Sequence, residues 1–407
     1  MFVWHRKLPC PSTEVCRYRA VKTHTALEKI TLQTPRSANQ IAADLDRRIE
    51  AYIRCSDPDS AEFDQLALEL FEYQYANNIP YRQLCDQRGR TPANVESWRA
   101  VPVLSAASFG DARIACFRKE RTTITFVSSG TTRTGSTAQN SSGRSEHELE
   151  NTQLYDASLL THFRECVIPD LDRVRMILLS PSFDEAQRSS LAYMLSKVYS
   201  TYGNSGGFFM RGDALDLEGI ARALQESREP TLVFGTAFAF VHLLDHCASA
   251  KLSFALPQRS RIVETGGFKG KSRSVAREKL YDALSGTFGV SREFCIAEYG
   301  MCELGSQWYD AGLSDALAGR HARQQLKVGP HWTRTLVVDP VTAQELPSGS
   351  TGLLQVFDLS NRGSVAAVLT GDLVTQSEDG FIYVSRSQAA PPKGCSIAVD
   401  AMLGSRD

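Results

Sequence analysis

Apolar residues recur at helical spacing early in the chain. Ile41 and Leu45, then Phe63, Leu66, Leu70 and Phe71, predict helices between about Asn39 and Asn78. Pro80, Pro92 and Pro102 mark the turns that end them. From about Thr122 the pattern changes to apolar runs separated by helical segments. Val174–Leu179, Thr231–Phe234 and Arg261–Val263 read as buried strands. Ile124–Val127, Phe294–Ala297 and Val365–Leu369 are further β-like runs. One helix is expected to start near Ser145, where Ser145 and Glu148 have capping-box spacing. Another is expected over about Ser272–Phe288, with Ala276, Leu280, Ala283 and Leu284 on one face. Strands that alternate with helices predict an α/β fold with a largely parallel sheet flanked by helices.

After about Lys327 the segments shorten. Thr335–Val338, Leu353–Phe357, Val365–Leu369 and Phe381–Val384 read as strands separated by Gly, Pro, Asn and Asp turns, a small β subdomain. The expected divisions are a poorly ordered arm over 1–40, a helical part over 41–121 and an α/β core over 122–330. The β subdomain then covers 331–385 and a short C-terminal segment 386–407.

Composition narrows the functional classes. The chain has 407 residues, an apolar content of 42% and a formal net charge of −1, so there is no electrostatic case for binding nucleic acid or an anionic membrane. The run Leu232–Leu244 is interrupted by Gly235, Thr236 and His242 and is too short to span a bilayer, so no membrane insertion is expected. The N-terminal residues lack the pattern of a signal peptide, and a cytoplasmic protein is expected. The ten cysteines include no CxxC pair and most are expected to be free and buried. The histidines form no HExxH.

Three remote segments carry chemistry. Ser128, Ser129, Gly130, Thr131 and Thr132 follow a β-like run and present clustered N–H and O–H donors, which suit a phosphate chain. Glu298, Tyr299, Gly300, Met301, Cys302 and Glu303 place an aromatic ring that can stack on a purine near a carboxylate that can hold Mg²⁺. Asp372, in Thr370-Gly371-Asp372 at the expected end of a strand, can accept two ribose hydroxyls. Singly, each also reads as an ordinary turn. In this order they predict one ATP site. Two other matches fall short. Gly266–Ser272 resembles a phosphate-binding P-loop, but its leading position is Thr265 rather than glycine. Gly203–Gly207 fits G-x-S-x-G but follows a helical run rather than a strand.

With these motifs in view, the chain resembles the adenylate-forming superfamily, and within it the acyl-protein synthetases of the LuxE type. Leu66–Gln74, Arg144–His147, Glu264–Arg273 and Lys393–Ala398 look like further family segments. The resemblance implies an adenylate-forming N-terminal domain with a truncated C-terminal lid, since about 35 residues follow Asp372. It implies ATP and Mg²⁺ as cofactors and a carboxylic, fatty acid substrate. It also implies an acyl-reductase or acyltransferase protein partner. By residue, Ser128–Thr132 would wrap the phosphates, Gly266 and Gly267 would lie against the adenine, and Tyr299 would stack on it. Glu303 would bind Mg²⁺, Asp372 would hold the ribose, and Cys395 would carry the acyl group. Two positions depart from the family pattern: Arg133 follows the phosphate loop where glycine is usual, and Cys302 stands where threonine is usual. An acyl-CoA ligase and a non-catalytic adenylation-fold subunit are the alternative readings.

Overall fold

The computed structural model describes residues 36–128, 144–212, 214–266 and 277–387. Three helices come first: α1 (Ala38–Ile53), α2 (Ser60–Asn77) and α3 (Ile79–Gln87). The side chains of Asp59 and Asn78 cap α2 and α3, and Pro80 sits in the first turn of α3, where its missing N–H does no harm. A short strand β1 (Leu104–Ser105) and helix α4 (Ser108–Asp111) lead to β2 (Ile124–Val127) and β3 (Glu146–Leu149), which pair antiparallel. Next come α5 (Gln153–Val167), β4 (Val174–Leu179), α6 (Ser190–Tyr202), β5 (Gly203–Phe208) and the small antiparallel pair β6 (Met210–Arg211) and β7 (Ala214–Leu215). They are followed by α7 (Leu217–Gln225), β8 (Thr231–Thr236), α8 (Ala237–Ala250), β9 (Arg261–Thr265), α9 (Arg277–Phe288) and β10 (Cys295–Tyr299). The last elements are β11 (Trp308–Asp310), α10 (Gly312–Leu317), β12 (Leu326–Val328), β13 (Thr333–Val338), β14 (Thr351–Asp358), β15 (Ala367–Ser377) and β16 (Gly380–Arg386).

Twelve strands form one sheet, in the order β13, β14, β15, β16, β12, β11, β10, β9, β8, β4, β5, with β1 beside β15. From β5 to β10 every neighbour is parallel. From β10 to β13 every neighbour is antiparallel. The strands after Lys327 therefore continue the same sheet.

The parallel strands are apolar on both faces because helices cover both. Leu232, Phe234, Val263 and Ile296 face α5 and α6, packing with Leu159, Phe163 and Leu195. Val233, Ile262 and Ala297 face α7, α8 and α9, packing with Ile220, Phe240 and Leu284. The N-terminal helices instead cover the antiparallel half, where Ile49, Phe63 and Leu70 meet Val356, Phe357 and Val368. Arg362 ties this layer down through a buried bidentate pair with Asp46, 2.7 Å on each arm, and Glu150 at 2.9 Å.

Two expectations fail. Ser145 and Glu148 do not cap a helix: residues 146–149 form β3 and the helix begins at Gln153. Ser145 is occupied elsewhere, since its N–H and C=O both bond Ser128. Asp372 lies inside β15 rather than at a strand end. Among the described residues, no helix is long and apolar enough to cross a membrane. None of the described cysteines, Cys55, Cys85, Cys116, Cys166, Cys247, Cys295 and Cys302, is in a disulfide, and all but Cys55 and Cys166 are buried.

Candidate active site at the edge of the parallel strands

Tyr299 is the last residue of β10, and its side chain joins the two halves of the sheet. Its hydroxyl donates to Asp372 Oδ2 at 2.9 Å in a buried contact. Three strands lie between β10 and β15 in the sheet order. A flat sheet would separate them by four steps of about 4.8 Å, roughly 19 Å, far beyond the reach of a tyrosine. The sheet must curl over for this hydrogen bond to form. The Tyr299 ring is enclosed by Trp308, Phe381 and Tyr383, with centroids 6.0, 5.3 and 6.1 Å away.

Asp372 is 5% exposed. Burial raises its carboxyl above the usual range, opposed by the Arg386 guanidinium and by the Tyr299 hydroxyl. Arg386 is its cross-strand neighbour in β16, with a nitrogen 3.9 Å from Oδ1. The backbone N–H of Asp372 donates to Thr370 Oγ1 at 3.2 Å, and Thr370 donates onward to Leu354 O at 2.9 Å. This ladder explains why polar residues continue a strand past its apolar run.

The second cluster begins at Ser128. Its N–H donates to Ser145 O and its Oγ accepts from Ser145 N, both at 3.0 Å. The pair closes the base of the segment that contains Ser129, Gly130, Thr131 and Thr132, which lie outside the described residues. The Ser145 hydroxyl donates to Ala106 O at 3.4 Å and lies near enough to the Glu303 carboxylate to favour its charged form. Glu303 is 5% exposed; burial raises its carboxyl, while Ser145 and Arg386 favour the charged form and Asp372 opposes it. Glu303 and Asp372 are therefore in one electrostatic neighbourhood.

Buried His147 in β3 holds the turn after Tyr299 in place. Its Nδ1 lies 2.8 Å from Cys302 O, and its Nε2 lies 3.1 Å from Ser364 Oγ. A carbonyl can only accept, so Nδ1 carries the proton and Nε2 accepts from the serine. Burial pushes His147 down to about 4, so it stays neutral.

The third cluster surrounds Glu298, which is 7% exposed. Its Oε2 accepts from the Thr265 hydroxyl of β9. A Cβ on Gly300 would stand 2.4 Å from its Oε1 and 3.5 Å from Gln307 Cγ, so any larger residue there would push the carboxyl aside. Gly266 follows β9 with φ of +69°, in the left-handed region that glycine tolerates.

Among the expected site residues, the structure thus gathers Ser128, Tyr299, Gly300, Met301, Glu303 and Asp372, and places Gly266 at the edge of the neighbouring strand β9. Gly267, Lys393 and Cys395 lie outside the described residues. Ser145, His147, Arg386 and the Thr265–Glu298 pair were not foreseen as site residues. A glutamate inside the apolar strand Cys295–Tyr299 was the one sequence signal for the last of these. Gly203–Gly207 lies in strand β5, where the Ser205 hydroxyl donates to Glu229 at 2.9 Å, so it forms no nucleophile elbow.

The family model described as acyl-protein synthetase, LuxE, matches residues 47–403. The long-chain-fatty-acid–luciferin-component ligase of Vibrio harveyi is 22% identical over 348 residues, covering 81% of this chain and 85% of the relative. An open conformation of 2-hydroxyisobutyryl-CoA ligase superposes with a TM-score of 0.58 at 16% identity, covering 83% of this chain and 79% of the other. The same enzyme in its thioesterification state gives 0.57 at 15% identity, covering 81% and 68%. The chain therefore belongs to the LuxE acyl-protein synthetase family, on the fold of adenylate-forming enzymes.

Proposed function

We propose that this protein uses ATP to convert a fatty acid into an acyl adenylate and then passes the acyl group to a protein cysteine. The observation that carries this reading is the convergence of three remote segments. Tyr299 bonds Asp372, Ser128 bonds Ser145, and Glu303 lies within electrostatic reach of both Ser145 and Asp372. The Vibrio harveyi relative, named as a long-chain-fatty-acid ligase, supports a fatty acid as the substrate.

The first step joins two anions. A carboxylate oxygen bonds to the α-phosphorus and the bond to the β-phosphate oxygen breaks, releasing pyrophosphate. Its barrier is largely electrostatic, and fixed donors lower it without reorganising. Asp372 accepts the ribose hydroxyls, held in place by Tyr299 and Arg386. Ser128 and the segment after it supply donors to the phosphates. Glu303 suits Mg²⁺: its carboxyl is a hard oxygen donor that burial leaves short of charge compensation. Among the described residues, no cluster of three or more His, Cys, Asp or Glu could hold a metal. The remaining coordination positions would then fall to phosphate oxygens and water, an ordinary set for this ion. When bound, Mg²⁺ would neutralise phosphate charge. In the second step a thiolate attacks the acyl carbonyl and AMP departs. Cys395 is proposed as that thiol because the Lys393–Ala398 segment resembles the family's acyl-carrying one. The same resemblance suggests an acyl-reductase or acyltransferase as the protein partner.

The test is ATP–pyrophosphate exchange across straight-chain acids from hexanoate to tetradecanoate, followed by labelled acyl retained on denatured protein. Acid-dependent exchange, with label lost in Cys395→Ala, is expected. No exchange with any acid would leave a non-catalytic subunit. Exchange with acyl transferred to coenzyme A and none to protein would make this a coenzyme A ligase.

A further inference from the structure

We propose that Glu298 binds the carboxylate of the acid, and does so only when Glu298 itself is protonated. The inference rests on the adenylation reading and names the residue that receives the second substrate.

Strand pairing puts Thr236, Thr265, Glu298 and Tyr309 in register across β8, β9, β10 and β11. The row lies at the carboxyl ends of the parallel strands, where open α/β sheets take their ligands. It lies on the face that carries Phe234, Val263 and Ile296. That is also the face of the phosphate-side cluster, since Tyr155 of α5 is within electrostatic reach of both Glu298 and Cys302. An acid approaching an α-phosphate held near Ser145 and Glu303 would meet Glu298.

The polar groups around Glu298 are incompletely matched. Gln307 Oε1 and the Tyr309 hydroxyl are buried with no hydrogen-bond partner, and the two residues are 4% and 1% exposed. Such groups are costly unless something pairs with them. The groups within electrostatic reach of Glu298 are Thr265, Tyr155 and Tyr309 on its own face, with Glu264 and Lys327 beyond. Lys327 is the cation among them, and it is already committed to a buried pair with Asp310. Burial therefore dominates and holds the Glu298 carboxyl up, at about 7. Protonated, it donates a hydrogen bond to an incoming carboxylate, and the Tyr309 hydroxyl can donate a second. Ionised, it confronts that carboxylate with a like charge in a dry site.

The experiment measures acid-dependent ATP–pyrophosphate exchange from pH 6 to 9, with hexanoate and with tetradecanoate, in the wild type, Glu298→Gln and Thr265→Val. In the wild type, KM for the acid should rise about tenfold per pH unit above the Glu298 transition, while KM for ATP does not follow. Glu298→Gln should abolish this rise. Thr265→Val removes the hydroxyl that favours the charged form, so it should move the rise to higher pH. That variant decides the matter alone if Glu298→Gln does not fold. An unchanged rise in either variant, or a rise in KM for ATP instead, overturns the proposal and leaves the adenylation reading standing. No exchange in the wild type at any pH overturns both.

Discussion

The two halves of the sheet are built differently, and the site lies at their join. In the parallel half, every residue of Arg261–Thr265 and Cys295–Tyr299 is buried, because helices cover both faces. In the antiparallel half, β16 alternates, with Phe381 buried and Ile382 and Val384 exposed. The parallel half fixes the positions of Thr265, Glu298 and Tyr299 to within a strand register. The antiparallel half contributes Asp372 and Arg386 by curling over the edge. One half therefore supplies rigidity, and the other supplies groups whose placement depends on the curl.

The strongest test of this division removes a group anchored to the parallel side. Glu303→Ala should lower acid-dependent exchange by about 10²–10³-fold, the scale for losing a single fixed electrostatic group. Steady-state exchange with saturating ATP and Mg²⁺ measures it. A loss below tenfold would mean that the cluster around Ser145 does not handle phosphate.

Two buried groups near the join, His147 of β3 and Glu298 of β10, should oppose each other in pH dependence. Below pH 6.5 the unfolded chain takes up a proton that folded His147 refuses until about pH 4. Stability is therefore lost as pH falls through that window. Above pH 4.5 the unfolded chain releases a proton that folded Glu298 keeps until about pH 7. Stability is therefore lost as pH rises through that window. Each effect is on the order of 3 kcal/mol at full extent. Urea unfolding at pH 4 and pH 8 should show Glu298→Gln gaining on the wild type at pH 8 but not at pH 4. His147→Gln should lack the acid loss. Parallel wild-type and variant profiles would show that neither group titrates as its burial requires.

The contact across the join should have a graded effect. Asp372→Ala removes a charged acceptor and should raise KM for ATP about 10- to 100-fold, whereas Tyr299→Phe removes one hydrogen bond and should raise it up to about tenfold. If Tyr299→Phe has the larger effect, the hydroxyl serves the nucleotide directly and is not a support for Asp372.

The halves also differ in how much the sequence revealed. The run Val174–Leu179 is a strand with the expected bounds, because burial on both faces writes an uninterrupted apolar signal. β15 was foreseen only up to Leu369, yet it continues through Gly371 and Asp372 to Ser377. Its polar stretch is held by Thr370, Tyr299 and Arg386, partners that no local pattern reveals. The Ser145–Glu148 spacing misled for the same reason. A capping box is a local reading, and Ser145 is bound to Ser128, 17 residues away. The grouping of Tyr299, Glu303 and Asp372 was legible because each motif carries its own chemistry. Glu298 was not, because a carboxylate in an apolar strand gains meaning only from its neighbours across the sheet.

The smallest expected effect comes from the exposed face of β16. Ile382 is 38% exposed and Val384 51%, so neither has much packing to lose. Ile382→Ser should change the unfolding free energy by no more than about 0.5 kcal/mol, whereas a buried strand residue such as Ile262, 0% exposed, should cost about 2–5 kcal/mol on truncation to alanine. Paired urea melts compare them. A cost for Ile382→Ser approaching that of Ile262→Ala would mean that the exposed face of β16 is covered in the intact protein. The antiparallel half would then be as firmly held as the parallel half.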